Sequence, residues 1–525
     1  MSATGYTADD IERVELVVGM EIHVELATRS KMFSRAPNPA HAGSAALDEA
    51  SPNTLVDATV LALPGALPVM NREAVEMSMR VGLALGCGIA EESRWDRKSY
   101  FYPDLPKAYQ ISQYDRPLCE SGGVDVLAMD ERGVFDLGGE RARVRILRAH
   151  LEEDAGKLQH EMPGGGALDG SIVDLNRAGT PLLEIVTEPD FRSSGACVSF
   201  ARLLRTTCRF LGVTEGVMQR GHMRFEPNIN CRIRLRDGRE VATPIVEIKN
   251  LNSFRALGDA IDYELREQPK RWLADGLEMG PGAKTTRGWD AERSVTVVQR
   301  EKEDAHDYRY FPDPDLPTVT VDEAWRERVR GALPELPLAR MDRYAKEAGA
   351  SGAEASALVE ERETAELYDA IVDRLVEDGR DRHEVARPAA NLVLQHGMKL
   401  ANARGVLVHT LGFSAVQAAG IVVMRADGDI AAAALDELLE ACCDTTDADP
   451  RDIAEARGLL IVRDTAQLGR WCDEVIAEQP DVAAQVRDGK VQAVGRLIGA
   501  VMARAGGSAD AKEARAMLLE RLGVK

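Results

Sequence analysis

Leu16-Val-Val-Gly-Met-Glu-Ile-His-Val-Glu-Leu26 alternates two kinds of side chain: Leu16, Val18, Met20, Ile22, Val24 and Leu26 are apolar, while Glu21, His23 and Glu25 fall between them. A period of two is that of a β-strand, so the stretch predicts a half-buried strand presenting carboxylate, imidazole and carboxylate on its second face. Two such groups can approach one cation, although a hard cation needs more oxygen ligands than a single strand supplies. The same pattern equally suits a strand of an antiparallel sheet with one wet side.

Working outward, short alternating runs punctuated by Gly and Pro continue over residues 14–315 and predict a large sheet-based domain with a few helices. Helical spacing of Val75, Met79 and Leu83 predicts a helix over Asn71 to Leu85 capped by Asn71, and a second is expected across Val198 to Leu211. Pro37 to Pro52 and Glu161 to Gly170 read as surface loops. From about Val321 the texture turns Ala-, Leu-, Glu- and Arg-rich with helical periodicity, as in Glu360 to Glu377 and Ala431 to Cys442. The fold class is therefore α+β: a sheet-based domain over 14–315, a helical domain over 316–445, and a small helical tail over 446–525 entered through a linker around Cys443 to Pro450.

The formal net charge of -21 argues against a general nucleic-acid binder, so any RNA contact must be local. Eight cysteines without a CxxC pair or a Cys/His metal spacing point to reduced thiols. With no apolar run long enough for a bilayer and a polar, acidic Met1 to Asp10, a cytoplasmic protein is expected. Walker A, GxGxxG, HExxH and GxSxG signatures are missing, so a nucleotide would be bound by another scheme. Arg141, Arg143 and Arg145 share one strand face and Arg232, Arg234 and Arg236 another; such ladders suit phosphate backbones, or pairing with the abundant carboxylates.

Five stretches carry more polar chemistry than packing requires. Lys98-Ser-Tyr-Phe-Tyr-Pro-Asp-Leu-Pro-Lys-Ala-Tyr-Gln-Ile-Ser-Gln-Tyr114 is a proline-fixed loop holding Asp104, Lys107 and four tyrosines, suited to binding or to plugging the fold. His150-Leu-Glu-Glu-Asp-Ala-Gly-Lys157 concentrates three carboxylates beside a glycine, as a site, an acidic patch or a helix start would. In Val173-Asp-Leu-Asn-Arg-Ala-Gly-Thr-Pro-Leu-Leu-Glu-Ile-Val-Thr-Glu-Pro-Asp190 the carboxylate of Glu184 interrupts an apolar run, where an unpaired buried charge is costly; it either reaches outward or ligates. Glu247-Ile-Lys-Asn-Leu-Asn-Ser-Phe254 offers a lysine and amides to phosphate or carboxylate oxygens, and Tyr308-Arg-Tyr-Phe-Pro-Asp-Pro-Asp-Leu316 completes the set; either also suits a structural turn.

In this order, the five stretches resemble the B-subunit family of the bacterial tRNA-dependent amidotransferases, from about Leu16 to the C-terminus. The resemblance implies a cradle-shaped catalytic domain, a helical domain and a YqeY-like tail, and a heterotrimeric ligase with an amidase-type A subunit and a small C subunit. It further implies ATP-dependent activation of the side-chain carboxylate of misacylated tRNA(Gln) or tRNA(Asn), with Mg2+, followed by amidation with ammonia from glutamine; DNA and membranes are not expected as partners. By motif, the metal ligands would be His23, Glu152 and Glu184, with Glu21, Lys107 and Tyr109 as catalytic residues. Tyr102, Asp104, Arg224, Asn228, Lys249 and Asn250 would bind substrate. The chain departs from the family pattern at Met223-Arg-Phe-Glu-Pro-Asn228, where Glu226 stands for a shorter aspartate. Two rivals remain in view, a non-catalytic tRNA-binding scaffold and a free-standing metal hydrolase.

Overall fold

The computed structural model describes residues 3–41, 50–161, 165–301, 308–445, 448–461, 465–505, 509 and 511–524. Parts of the expected loops over 37–52 and 161–170, and of the linker over 443–450, lie outside them. The chain divides into two compact units, Met1–Arg340 and Met341–Lys525.

The first unit is built on strands β1 Ile11–Glu25, β2 Gly88–Ile89, β3 Glu92–Ser93, β4 Asp96–Ser99, β5 Tyr109–Ser112, β6 Cys119–Leu127, β7 Arg141–Glu153, β8 Lys157–Glu161 and β9 Ala167–Asp174. After them come β10 Pro181–Thr187, β11 Met223–Leu235, β12 Glu240–Ala242, β13 Val246–Lys249, β14 Thr285–Asp290, β15 Val295–Glu301, β16 Phe311–Pro312 and β17 Val319–Thr320. Ten of them form one sheet in the order β15-β14-β13-β11-β1-β10-β7-β6-β2, with β12 on β11. The quoted stretch lies in the middle of this sheet, antiparallel to β10 on one side and β11 on the other. Its even positions are sealed: Met20, Ile22 and Val24 are 1% exposed or less. They share one hydrophobic core with residues from the helices Arg72–Ala84, Ser194–Phe210 and Phe254–Asp275, so the three helices cover one face and leave the odd face to the cleft.

The helices begin where side chains can accept the orphan N–H groups of their first turns. Asn71 accepts from Glu73 N and Ala74 N, Ser193 from Ala196 N, and Ser253 from Ala256 N. Glu247-Ile-Lys-Asn-Leu-Asn-Ser-Phe254 is thus strand, turn and helix start in one: Glu247 and Lys249 sit on β13, Asn250 turns the chain at φ +65°, and Ser253 caps the 22-residue helix Phe254–Asp275.

His150-Leu-Glu-Glu-Asp-Ala-Gly-Lys157 is the end of β7 and the turn into β8, so its helix-start alternative falls away. Its glycine has a steric reason. A Cβ on Gly156 would stand 2.7 Å from the Asp174 carbonyl oxygen and 2.9 Å from that of Asp104, and the Gly156 N–H donates to the latter at 2.8 Å. Gly156→Ala is expected to cost about 1–3 kcal/mol through this backbone overlap, read as a lowered denaturation midpoint at unchanged m-value; an unshifted midpoint would mean the turn relaxes freely.

In the second unit, the sequence-predicted helices are present as Arg362–Glu377 and Leu435–Cys443 among others, and Leu468, Cys472, Val486, Leu497 and Leu518 belong to a hydrophobic cluster local to its C-terminal part. All eight cysteines are free thiols, and seven are buried. Among the described residues no helix is long and apolar enough to cross a membrane.

Candidate functional site

Strand register assembles the site. His23 stands opposite Glu184 of β10 and Arg224 of β11, and Glu184 stands opposite His150 of β7. Because opposite residues share a face, four adjacent strands bring His150, Glu184, His23 and Arg224 into one row, with Glu152 and Glu21 in the flanking rows. His23 Nε2 lies 3.7 Å from Glu152 Oε1 and 3.6 Å from Glu184 Oε2, while its Nδ1 is 3.9 Å from Glu226. His150 Nε2 approaches the same Glu184 oxygen at 3.6 Å.

Three carboxylates around one imidazole have electrostatic consequences. Burial pushes the His23 imidazolium down, but Glu184, Glu226 and Glu152 more than reverse this and hold its pKa at about 9. His150, more deeply enclosed, is pushed down to about 4 by burial. Of the close pair Glu152 and Glu184, burial and then the Glu184 charge raise Glu152, while the two histidines keep Glu184 low despite its burial.

The donor set fits a divalent cation. One nitrogen and two carboxylate oxygens from His23, Glu152 and Glu184 all lie within 4.8 Å of one another, and the two N···O spacings approach the roughly 3.0–3.7 Å separation of neighbouring ligands around an ion bonded at about 2.1–2.3 Å. His23 Nδ1 is buried without a hydrogen-bond partner among the described residues. A cation held there would need His23 neutral, so binding would release any proton the imidazole carries.

A second carboxylate group adjoins the first: Glu21, Glu226 and Glu247, on β1, β11 and β13. It is balanced by lysines. Lys249 contacts Glu226 closely and Glu247 at 3.1 Å, and Lys284 lies 3.3 Å from Glu247 and 3.9 Å from Glu21. Asn228 Nδ2 donates to Glu21 at 2.9 Å. Glu226 reaches both Lys249 and His23 and so joins the two groups.

One cavity is lined by both groups together with Lys98, Ser112, Tyr114, Arg148, His150, Tyr308 and Tyr310. One part of its wall is aromatic: Tyr114 and Tyr310 stack at 4.1 Å between centroids with planes 14° apart, and Tyr308 meets Tyr310 edge-on at 6.2 Å.

The other expected site residues do not line that cavity. Lys107 is in close ion contact with Glu153 and its Nζ lies 5.4 Å from the Tyr109 ring, while Arg97 covers the same ring at 4.2 Å. Tyr102 is exposed, and Asp104 accepts from the Tyr100 hydroxyl at 3.3 Å. Arg224 is committed to Asp154, with Glu25 3.6 Å away. Asn250 is the turn residue described above. The arginine ladders are partly charge-paired: Arg143 with Asp125 at 3.1 Å, Arg145 with Asp190 at 2.6 Å and Arg234 with Glu12 at 3.2 Å, while Arg236 donates to the Asp9 carbonyl at 2.8 Å.

Glu247, Lys284, Arg148, His150 and Lys98 line or balance the site without standing out in the sequence as site residues. The signal available for two of them was the period of β7, which puts Arg148, His150 and Glu152 on one face.

Comparison with known proteins bears on the whole chain. Residues 16–327 match the model of the GatB/GatE catalytic domain, and residues 371–522 match that of the GatB domain. A Thermomicrobium roseum protein, named as the B subunit of an aspartyl/glutamyl-tRNA(Asn/Gln) amidotransferase, is 42% identical over 508 residues, covering 97% of this chain and 98% of its own. Proteins of the same name from Variovorax paradoxus and Salinibacter ruber are 41% and 38% identical, each covering at least 97% of this chain and 98% or more of their own.

Proposed function

This chain belongs to the family of aspartyl/glutamyl-tRNA(Asn/Gln) amidotransferase B subunits, and on that premise we propose that its cleft activates the side-chain carboxylate of a misacylated tRNA for amidation. The observation that carries the reading is the convergence of His23, Glu152 and Glu184 from three strands at the spacing of a metal's ligands, in a cavity that also holds lysines.

A carboxylate is a poor electrophile. In the proposed reaction one of its oxygens attacks the γ-phosphorus of ATP, the bond from that phosphorus to the β-phosphate oxygen breaks, and ADP leaves with the electron pair. Ammonia then attacks the carbonyl carbon of the acyl phosphate; the carbon–oxygen bond to phosphate breaks, and the nitrogen gives up a proton. A divalent cation, Mg2+ by the family resemblance, would neutralise phosphate and carboxylate oxygens when held by His23, Glu152 and Glu184. The remaining tasks fall to the chain. One Glu184 oxygen lies 3.6 Å from both the His23 and the His150 ring, and Asn228 orients Glu21. Lys249, bound to two carboxylates, lines the same cavity. The strand-borne side chains are held by a sheet whose other face is a sealed core, which keeps their separations fixed while charge develops.

A B subunit works within a complex, here proposed to comprise an amidase-type A subunit that supplies ammonia from glutamine and a small C subunit, acting on Glu-tRNA(Gln), Asp-tRNA(Asn) or both. The test is to incubate the assembled complex with each misacylated tRNA, ATP and glutamine and to identify the amide formed. Gln-tRNA or Asn-tRNA, with ATP hydrolysis that depends on the tRNA, is expected. Binding of tRNA without such hydrolysis would favour the scaffold reading instead.

A further inference from the structure

Ala58 to Asn71 carries no charge, in a chain of which 29% of residues are charged. Within it Leu61, Leu63, Leu67 and Val69 stand in solvent, the last three at 50, 60 and 74% exposure. Single apolar residues scattered over a surface are ordinary, but four in one short loop concentrate a hydration cost that folding has not removed.

The loop is held at both ends. Asp57 Oδ1 accepts from Thr59 N and Val60 N at 3.0 Å, Leu63 N donates to the Ala58 carbonyl at 2.9 Å, and Ala66 N donates to that of Leu63 at 3.1 Å. Val60 is buried in a small cluster with Ala36, Leu175 and Ala178. At the far end Val69 N donates to the Phe33 carbonyl at 2.9 Å and Asn71 N to that of Met32 at 2.8 Å, and Phe33 packs edge-on against Trp95. Pro64 and Pro68 restrict the backbone between these anchors. Apolar side chains kept in one arrangement in water do nothing for the chain alone, but they lower the ordering cost of an association.

We infer that Leu61 to Val69 is a docking element that enters an uncharged, apolar concavity on another subunit of the complex. The inference rests on the reading of this chain as one subunit of an amidotransferase, and adds a surface by which it is held there. Charge and size select this occupant. A loop without charge offers no ion pair to a phosphate backbone or to a charged surface, and is matched by a surface that is itself uncharged. Its four side chains present on the order of a few hundred Å², against roughly 800 Å² per partner in a stable interface, so two copies joined loop to loop bury too little. A second copy would have to offer a pocket elsewhere, and a loop in a pocket repeated from copy to copy builds an open chain instead of a closed dimer. A different subunit is free of both limits, because further contacts can surround the loop.

The complex is purified around the full-length chain as wild type, Leu67→Met, Leu67→Asp and the double variant Leu63→Asp with Leu67→Asp. Sedimentation velocity over a dilution series reads how tightly the chain is retained. Amidation is assayed with glutamine and with an ammonium salt as nitrogen donor, and denaturant unfolding of the full-length chain reads its own stability. Losing the burial of one leucine and placing a charge in its pocket should loosen the hold on one subunit about 10- to 100-fold in Leu67→Asp, and further in the double variant. Leu67→Met keeps the volume and should remain close to wild type. The denaturation midpoint should not move, because the side chain lies in solvent, and amide formation from ammonium should persist, because the cleft is untouched. Undiminished association in the double variant would overturn the proposal. So would a loss of association that comes with a lowered midpoint, the mark of a loop serving the chain's own fold, or self-association of the full-length chain that the aspartates abolish, the mark of a second copy. If the wild-type complex forms no amide from ammonium, the activation reading falls, while docking is still decided by sedimentation alone.

Discussion

Glu184→Ala is expected to abolish ATP-dependent amidation while leaving tRNA binding intact. One oxygen of Glu184 lies 3.6 Å from both His23 Nε2 and His150 Nε2, so its removal takes away a proposed metal ligand and the negative charge facing both imidazoles. Losing only the hydrogen-bond partner behind a ligand typically costs 10- to 100-fold in metal affinity, so losing a ligand itself should cost roughly 100-fold or more. Mn2+ titration of the variant checks this directly, with tRNA-dependent ATP hydrolysis as the second readout. Glu184→Gln keeps the volume and should fail nearly as fully, since an amide brings no negative charge. If either variant binds Mn2+ with wild-type affinity, the metal site is elsewhere.

Glu264→Ala should be the most destabilising single change away from the cleft. Glu264 is fully buried on the helix Phe254–Asp275 and accepts from Thr296 Oγ1 at 2.6 Å, Gln268 Nε2 at 3.1 Å and the Arg271 guanidinium, with Arg287 3.7 Å away. Those groups come from the helix and from both strands of the β14–β15 hairpin, so one carboxylate fastens the hairpin to the helix. Truncating one partner of such a network strands the others, at a cost of about 3–5 kcal/mol. Arg271 is one-third exposed and can turn to water, which places the expected loss at the lower end of that range. Denaturant titration measures the loss, and hydrogen exchange over 285–301 should rise more than over β1. A variant as stable as wild type, with unaltered exchange, would show that the network contributes no net stability.

Structure is legible in the sequence wherever the information is local. The period of two from Leu16 to Leu26 identifies a strand and assigns Glu21, His23 and Glu25 to one face, and Asn71 marks its helix start through a side chain that bonds its own first turn. Legibility ends where position depends on which strand lies next to which. Periodicity puts Glu247 on a face but cannot reveal that β13 and β11 stand beside β1, and only that order makes Glu21, Glu226 and Glu247 a group. Lys98 and Tyr310 arrive from outside the large sheet altogether. Lys107 shows the same limit from the other side: its carboxylate partner is Glu153, and adjacent residues of a strand point to opposite faces, so that ion pair and Glu152 face different ways. The long helix Phe254–Asp275 escapes notice because Pro269 and its many charged residues blur the apolar stripe.

Position along the chain has a cost during synthesis. β1 is made well before the strands that flank it, β10 and β11, which lie in residues 181–187 and 223–235. At about 5–20 residues per second, the interval from completing β1 to completing β11 is roughly 10–40 s. For that time the strand carrying Met20, Ile22 and Val24 lacks at least one of the two neighbours that flank it in the sheet. The segment carrying His23 is thus the first part of the cleft to be made, and its apolar face waits for strands more than 150 residues downstream before the sheet closes around it.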